Sequence, residues 1–270
     1  MRILISVVLL FSTVGVAADQ TAGGLPLHGE EAVAFLRSAE VVGEPESFDT
    51  KAITDPLRVT LTDGERTLRA IFKDEDTYHS GFKFGDGTEV LRVRDSYKHE
   101  IAAYELDLLL GLGIVPPCVE RKLFRRTGSL CLWVEDATDE AKRRERKVVP
   151  PDLVQWYDQM DRVKLFQHLV NDLDRANIRN IVSDPEFKIY KVDSSMSFYP
   201  QYSLREEDQP TRFSRQFLES LESLDRVVLD ERLKSWTTKG ERKSLWARRG
   251  LILELAAKQV AERGEAEVLH

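Results

Sequence analysis

174-DRANIRNIVSDPEFKIYKVDSSMSF-198 is the stretch of this chain that decides its fold. Asp174 and Asn180 lie in a loop pattern, two short strand patterns follow around a turn, and Asp193 stands where the second strand ends. This arrangement is typical of Mg-dependent phosphoryl transfer. In that chemistry the first Asp orients the acceptor, while the Asn and the second Asp hold the metal that bridges the ATP phosphates.

Further features precede this stretch in the order that a nucleotide site requires. Lys73 ends the strand pattern RAIFK, where its ammonium can pair with phosphates. Glu100 lies one turn into the following helix pattern, where it can hold Lys73 by an ion pair. Trp133, Val134 and Glu135 end a later strand pattern, where backbone groups can receive an adenine edge. A strand Lys or a helix Glu alone is commonly a surface charge, and it is the joint order of these residues that predicts a nucleotide site.

The chain resembles the atypical protein-kinase-like superfamily in the segments RAIFKDE, DSYKHEIAAYELDLLLGLGIVPPCVE, LFQHLVNDLDRANIRNIV and YKVDSSMSF. That group contains phosphatidylinositol 3- and 4-kinases, HipA-type kinases and secretory-pathway kinases of the Golgi casein-kinase type. The resemblance spans residues 30–270 and implies an α+β, two-lobed protein-kinase-like fold with a β-rich N-lobe and a helical C-lobe. It implies ATP and Mg²⁺ or Mn²⁺ as cofactors. The roles that it implies are Lys73 for the α/β-phosphates, Glu100 as its partner, Asp174 as catalytic base, and Asn180 and Asp193 as metal ligands.

Two departures from the family pattern bear on this expectation. The family spaces the loop Asp and Asn as D-x4-N, whereas Asp174 and Asn180 are one residue further apart, so either the loop bulges or Asn177 is the ligand. The chain also has no Gly-rich phosphate loop. FDTKAITDPLRV, ahead of the first strand, contains no Gly, and Gly85 and Gly87 do not complete a G-x-G-x-x-G pattern.

Two alternatives remain open at the level of sequence. Asp193 either binds a metal, because a carboxylate at a buried strand end is costly unless it meets a cation, or caps the following turn through Ser194 and Ser195. The whole chain is either an active phosphotransferase or a catalytically impaired pseudokinase that binds a ligand or a protein. The chain keeps all of the charged residues that the reaction needs, and this favours the active enzyme. They are Lys73, Glu100, Asp174 and Asp193.

The N-terminus reads MRILISVVLLFSTVGVAA and has the features of a secretory signal peptide. Its apolar part falls short of the ~20 residues that span a bilayer, and an uncleaved anchor is the alternative. We therefore expect export, to a periplasm or outside the cell, with no membrane span after cleavage. The predicted divisions are 1–18 signal peptide, 19–28 flexible leader, 29–135 kinase-like N-lobe and 136–270 kinase-like C-lobe.

The chain has a formal net charge of −7, and loss of Arg2 with the signal peptide makes it one unit more negative. An acidic balance argues against a nucleic-acid partner, so the expected partner is a protein or small-molecule hydroxyl substrate. The oligomeric state is not indicated. Cys118 and Cys131 flank a turn and form either a disulfide, which an oxidising compartment permits, or two buried thiols.

Periodicity predicts the elements around these residues. Asp63-Gly64 predicts a hairpin between LRVTLT and RTLRAIFK, and Ser96 predicts the start of the helix YKHEIAAYELDLLL. Residues 74–95 and 136–149 are charge-rich and are interpreted as loops. A short helix over Glu30–Ala39, a hairpin around the cysteines, a long helix from Leu153 and helices after residue 210 complete the prediction.

Overall fold

An antiparallel sheet forms the first half of the fold, in a computed structural model that describes residues 24–47, 56–83, 89–205 and 209–270. The predicted signal peptide, most of the predicted leader, and Gly85 and Gly87 lie outside the described residues. The sheet and its covering helix comprise α1 (Gly29–Ser38), β1 (Glu40–Ser47), β2 (Leu57–Thr62), β3 (Thr67–Lys73), β6 (Cys118–Leu123) and β7 (Arg126–Leu132), with strand order β1-β2-β3-β7-β6. One hydrophobic cluster lies between α1 and this sheet.

The hairpin at Asp63-Gly64 is confirmed, and β2 pairs with β3 in register from Leu57 to Thr62. Asp63 fixes the turn because its Oδ1 accepts hydrogen bonds from the amides of Glu65 and Arg66, at 3.0 and 2.8 Å. The register delivers Lys73 to the end of β3, at the open edge of the lobe.

The expectation of a loop over residues 74–95 is wrong for the described part of that segment. β4 (Asp76–Lys83) and β5 (Glu89–Ser96) form a separate antiparallel pair. Val90 and Val93 on β5 form a small apolar cluster with Leu173 of the second half. Charged side chains on the outer face hide the alternation in the sequence. There the guanidinium of Arg92 stacks over the ring of Tyr78 at 4.0 Å.

Helix α2 (Tyr97–Leu110) begins as predicted, because the Ser96 side chain accepts a hydrogen bond from the amide of Lys98. It ends at Gly111, which adopts the left-handed conformation with φ of 62°. The buried residues of α2 belong to the same hydrophobic cluster as the C-terminal helices. The helix that carries Glu100 therefore packs on the second half of the fold, although it precedes the last strands of the sheet.

The second half of the fold is mainly helical and confirms the predicted long helix and the helices after residue 210. Its elements are β8 (Thr138–Asp139), α3 (Glu140–Glu145), α4 (Leu153–Val170), β9 (Ile181–Ser183), β10 (Ile189–Lys191), α5 (Arg215–Ser223), α6 (Arg226–Leu233), α7 (Lys239–Arg263) and α8 (Glu265–Val268). The short strands form a sheet of order β10-β9-β8. No helix in the described ranges has both the length and the apolar character that a bilayer span requires.

The expectation of a surface loop over residues 136–149 is also wrong, because β8 and α3 lie there. Asp139 caps α3 by accepting a hydrogen bond from the amide of Lys142 at 2.9 Å. Glu140 is buried and pairs with Arg143 and Arg144, each at 2.6 Å. The charge density that suggested a solvated loop therefore consists largely of ion pairs within one helical turn or two.

Cys118 and Cys131 form a disulfide across the paired strands β6 and β7. Of the two alternatives open from the sequence, the disulfide is the one that the structure contains. Both residues line the cleft between the two halves of the fold. The covalent link therefore ties neighbouring strands together beside the candidate site.

Candidate active site

A cleft of about 810 Å³ lies between the sheet and the helical half. Its apolar wall contains Ile71, Leu132 and Val134 from the first half and Val182 and Val192 from the second. An apolar wall of this kind suits the ring of an aromatic ligand. The predicted charged residues also line this cleft; they are Lys73, Glu100, Asp174, Asn180 and Asp193.

Lys73 lies at the centre of the charged part of the cleft. Its Nζ is 2.6 Å from Oε1 of Glu100 and 2.8 Å from Oδ1 of Asp193. Burial lowers the pKa of the Lys73 ammonium, but the charges of Asp193 and Glu100 outweigh that effect and hold the pKa above its usual range. The lysine therefore stays charged at physiological pH.

Glu100 joins helix α2 to the loop that carries Asp193. Its Oε2 accepts a hydrogen bond from the amide of Ser194 at 2.9 Å. Burial raises the pKa of the Glu100 carboxyl, and the Lys73 charge and the Ser194 amide oppose that rise. The neighbouring His99 adds a second link, because its Nδ1 lies 2.9 Å from the carbonyl oxygen of Ser195.

Asp193 adopts the left-handed conformation, with φ of 56°. Non-glycine residues adopt it at a cost, and functional sites are where such strain concentrates. The surrounding cleft partly desolvates the Asp193 carboxyl, which raises its pKa, but Lys73 and Lys191 reverse this and hold the pKa well below its usual range. Ser195 donates its hydroxyl hydrogen bond to Asp193 at 3.2 Å, whereas the Ser194 amide is bonded to Glu100. The side chain is 44% exposed, so this carboxylate remains accessible from the cleft.

The longer spacing between Asp174 and Asn180 is absorbed by a 3-10 turn over Ile178–Asn180. Oδ2 of Asp174 accepts hydrogen bonds from the side-chain amides of Asn180 at 2.8 Å and Asn177 at 3.0 Å. Oδ1 of Asn177 caps the turn by accepting from the amide of Arg179. Oδ1 of Asn180 in turn accepts a hydrogen bond from Nδ2 of Asn177 at 3.4 Å, so both amide oxygens are engaged and Asn177 and Asn180 both remain ligand candidates. The backbone carbonyl oxygen of Asn180 also accepts a hydrogen bond from the amide of Val192, the residue before Asp193, at 2.9 Å.

Burial raises the pKa of the Asp174 carboxyl, and the nearby charges of Asp172 and Asp193 add to the rise. The Asn177 hydrogen bond and the Lys191 charge oppose it. A raised pKa moves a carboxylate towards the range in which it can accept a proton at neutral pH.

The main-chain groups of Glu135 already have partners in the structure. Its amide and carbonyl are both hydrogen-bonded to Gly24, at 2.8 and 2.9 Å, and its side chain pairs with Arg69. The amide of Trp133 bonds the carbonyl of Arg69 within the sheet. Val134 lies between them, and its amide has no hydrogen-bond partner among the described residues. Of the three residues predicted to meet an adenine edge, Val134 is thus the one whose amide is available among the described residues, and the contact itself stays a prediction.

Sequence reasoning missed several residues that line or support the cleft. Asp95 on β5 is buried and lines the cleft, and burial raises its pKa. Lys191 and Asp172 form a buried ion pair beneath Asp193. The signal for Asp95 was its place two residues before Tyr97, where the predicted helix begins, but it lies in a segment that was interpreted as a loop. Burial of a Lys has no local signal, because lysines are almost always exposed.

A β-rich lobe, a helical lobe and a charged cleft between them define an atypical kinase-like fold. The structure is similar to that of hydra Fam20 solved with sugar, at 17% identity, covering 88% of this chain and 90% of that chain with a TM-score of 0.64. It is also similar to the Golgi casein kinase, at 13% identity, covering 88% and 78% with a TM-score of 0.59. A third similar structure is the Helicobacter pylori proinflammatory kinase CtkA, at 12% identity, covering 84% and 98% with a TM-score of 0.51.

At these identities the likeness is one of fold. No protein-family model matches the sequence, and no curated protein is similar to it in sequence. The resemblance stated from the motifs is confirmed at the level of the fold.

The donors in the cleft fit a divalent metal and a nucleotide. Asp193 and Asn180 offer carboxylate and amide oxygens, which are the ligands that Mg²⁺ and Mn²⁺ prefer. Lys73 offers a charge for phosphates, and the free amide of Val134 offers a donor to a base. The cleft volume of about 810 Å³ lies within the range of pockets that hold molecules of this size.

Proposed function

We propose that this chain is a metal-dependent phosphotransferase that moves the γ-phosphoryl group of ATP to a hydroxyl group on an exported protein or small molecule. The observation that carries the proposal is the direct contact of Lys73 with both Glu100 and Asp193 in one cleft. Asp174 and Asn180 line the same cleft and are hydrogen-bonded to each other. This is the set of groups that phosphoryl transfer requires.

The roles follow from the position of each group. Lys73 binds the α/β-phosphates, and Glu100 keeps its ammonium in place. Asp174 accepts a hydrogen bond from the acceptor hydroxyl and takes its proton as the acceptor oxygen bonds to the γ-phosphorus, while the bond from that phosphorus to the β,γ-bridging oxygen breaks and ADP leaves. The amides of Asn177 and Asn180 fix its carboxylate in orientation, since both donate to the same oxygen.

Asp193 and Asn180 are the residues that would hold Mg²⁺ or Mn²⁺. When bound, the metal neutralises phosphate charge that develops during transfer. Without it, the charges of Lys73 and Lys191 keep Asp193 ionised and ready to act as a ligand.

Export is part of the proposal and has two supports. The disulfide between Cys118 and Cys131 suits an oxidising compartment, which the predicted signal peptide would provide. The similar Golgi casein kinase is, by its name, a protein of the secretory route, and the hydra Fam20 structure contains a sugar. A carbohydrate hydroxyl is therefore a reasonable small-molecule acceptor to test beside a protein hydroxyl.

A thermal-shift screen of the purified protein against nucleotides and divalent metals tests the proposal first. Ligand at ~100 times its dissociation constant adds about 2.7 kcal/mol to the free energy of unfolding, which is a readily measured rise in melting temperature. We expect ATP with Mg²⁺ or Mn²⁺ to produce this rise, and ATP with a chelator to produce less.

Asp193→Ala is the decisive variant, and Glu219→Gln, an exposed carboxylate on α5, is its matched control. We expect calorimetry to show that Asp193→Ala abolishes metal-dependent nucleotide binding and leaves the fold intact, while the control binds as the wild type does. Unchanged binding in Asp193→Ala would remove the site assignment. Absence of any nucleotide effect in the wild type, with every divalent ion, would favour the pseudokinase alternative.

A further inference from the structure

Lys191 and Asp172 form an ion pair that is almost wholly removed from solvent. Nζ of Lys191 lies 3.0 Å from Oδ2 of Asp172, with side-chain exposures of 0% and 1%. Buried ion pairs are costly to desolvate, and apolar residues of similar volume often stabilise a fold as well or better. The pair therefore needs an explanation other than stability, and its position beside the cleft supplies one.

The Lys191 ammonium holds the backbone of the loop that carries Asp193. It donates hydrogen bonds to the carbonyl oxygens of Val192 and Asp193, each at 2.7 Å, and it contacts Asp172 as an ion pair. Because Asp193 has φ of 56°, its peptide orientation is unusual, and the bond to its carbonyl stabilises that orientation.

Asp172 extends the same connection to the loop that carries the predicted catalytic base. Its Oδ1 accepts a hydrogen bond from the amide of Asp174 at 3.0 Å. The backbone amide of Lys191 is itself fixed, since it donates to the carbonyl of Ile114 at 2.7 Å. The result is a continuous path from the backbone of Asp174 to the backbone of Asp193 through two side chains.

We propose that Lys191 and Asp172 are positioning residues that fix the separation and relative orientation of Asp174 and Asp193. The inference rests on the proposed function and deepens it. Transfer requires the acceptor group and the metal-bound phosphate to be held in line, and small misplacements have large effects on rate. A buried charge pair suits this task because its geometry cannot relax into solvent.

The charge-free double variant Lys191→Met/Asp172→Asn tests the inference. Each single variant leaves an uncompensated buried charge and is expected to unfold easily, whereas the double variant removes both charges together. We expect the double variant to fold, to keep a near-native KM for ATP and to lose at least about tenfold in kcat. We also expect it to need several-fold more Mg²⁺ for half-maximal rate.

If Lys191 and Asp172 served only to neutralise each other's charge, the neutral double variant would have the kcat and the Mg²⁺ dependence of the wild type. That result would overturn the inference. The control is an exposed ion pair far from the cleft, Arg215 with Glu265, whose atoms lie 3.1 Å apart. Arg215→Met/Glu265→Gln should leave both kinetic constants unchanged.

A crystal structure of the unliganded double variant separates this inference from the proposed function, since it needs no activity. We expect Asp193 to leave the left-handed conformation and its contact with Lys73 to lengthen beyond 2.8 Å. An unchanged Asp193 conformation and contact would overturn the positioning role. A wild-type protein that binds no nucleotide would instead refute the proposed function and leave the structural result to decide the positioning role alone.

Discussion

Glu100 accepts a hydrogen bond from the backbone amide of Ser194, a residue 94 positions further along the chain. The other oxygen of the same carboxylate contacts Lys73. Helix α2 and the loop that carries Asp193 are therefore linked by one side chain. A shift of the helix would remove the partner of Lys73 and release the Ser194 amide at the same time.

Glu100→Gln tests this link because the variant can still accept the Ser194 hydrogen bond but has no charge for Lys73. We expect the fold to be retained and the dissociation constant for ATP with Mg²⁺ to rise about tenfold, the size expected from loss of one charge-assisted contact. Isothermal titration calorimetry measures this, with Glu219→Gln as the control. Wild-type affinity in Glu100→Gln would show that the carboxylate charge does not serve nucleotide binding.

Asp174→Asn should separate binding from chemistry. Lys73 and Asp193 remain in place, so affinity for ATP with Mg²⁺ should stay within about twofold of the wild type, whereas the transfer rate should fall about 10²–10⁴-fold with the loss of the base. Binding is measured by calorimetry and transfer by release of labelled phosphoryl product. Loss of both properties would assign Asp174 a structural role through Asn177 and Asn180 instead.

Asp107 predicts a pH dependence of stability that is independent of catalysis. Burial raises the pKa of its carboxyl to about 7, against hydrogen bonds from the amides of Ile114, Val115 and Gly113. The ordinary pKa of this carboxyl is 3.8. Between pH 3.8 and about pH 7, the folded protein therefore keeps a proton on Asp107 that the unfolded chain has lost. The stability that the protonated group contributes is complete below the unfolded pKa of 3.8 and is lost as the pH rises through the folded pKa of about 7.

Asp107→Asn should remove this pH dependence of the free energy of unfolding. Between pH 4 and 7 the free energy of unfolding of the wild type should fall by up to about 4 kcal/mol relative to the variant, as urea titrations at several pH values would measure. Parallel curves for the two proteins would contradict a raised pKa at this position.

The disulfide between Cys118 and Cys131 predicts sensitivity to reductant. Its cysteines are 13 residues apart, and a loop of this length is worth about 3 kcal/mol, or roughly 5–10 °C in melting temperature. Dithiothreitol should lower the melting temperature of the wild type by this amount. It should not change that of Cys118→Ala/Cys131→Ala, and an equal effect on both proteins would show that the reductant acts elsewhere.

The fold and the charged core of the site were predictable because residue type and local position agree there. Lys73 ends a strand, Glu100 opens a helix, and Asp174 and Asp193 stand beside strand and loop boundaries whose patterns are clear. These positions depend on local periodicity and turn chemistry, which a sequence displays directly.

The remaining features depend on contacts between distant segments. The β4–β5 pair was missed because charged residues on its outer face mask the alternation, and its apolar face packs on Leu173. The contact of Gly24 with Glu135 joins a short Gly-containing segment to a strand end, and no periodicity marks such a bridge. Lys191 was missed because burial of an ammonium is decided by Asp172, which lies on another loop.

The bridge between Gly24 and Glu135 has a consequence for nucleotide choice. A binding site distinguishes adenine from guanine through donors and acceptors that meet the edge of the base, and fewer such groups mean weaker discrimination. Both main-chain groups of Glu135 are bonded to Gly24, so under the proposed function the amide of Val134 is the donor at this strand end that is left to meet a base, within the described residues. We expect GTP to compete with ATP in calorimetric titrations far better than it would in a site with two main-chain groups that contact the base. The triphosphate rather than the nucleoside would then determine which ligand binds.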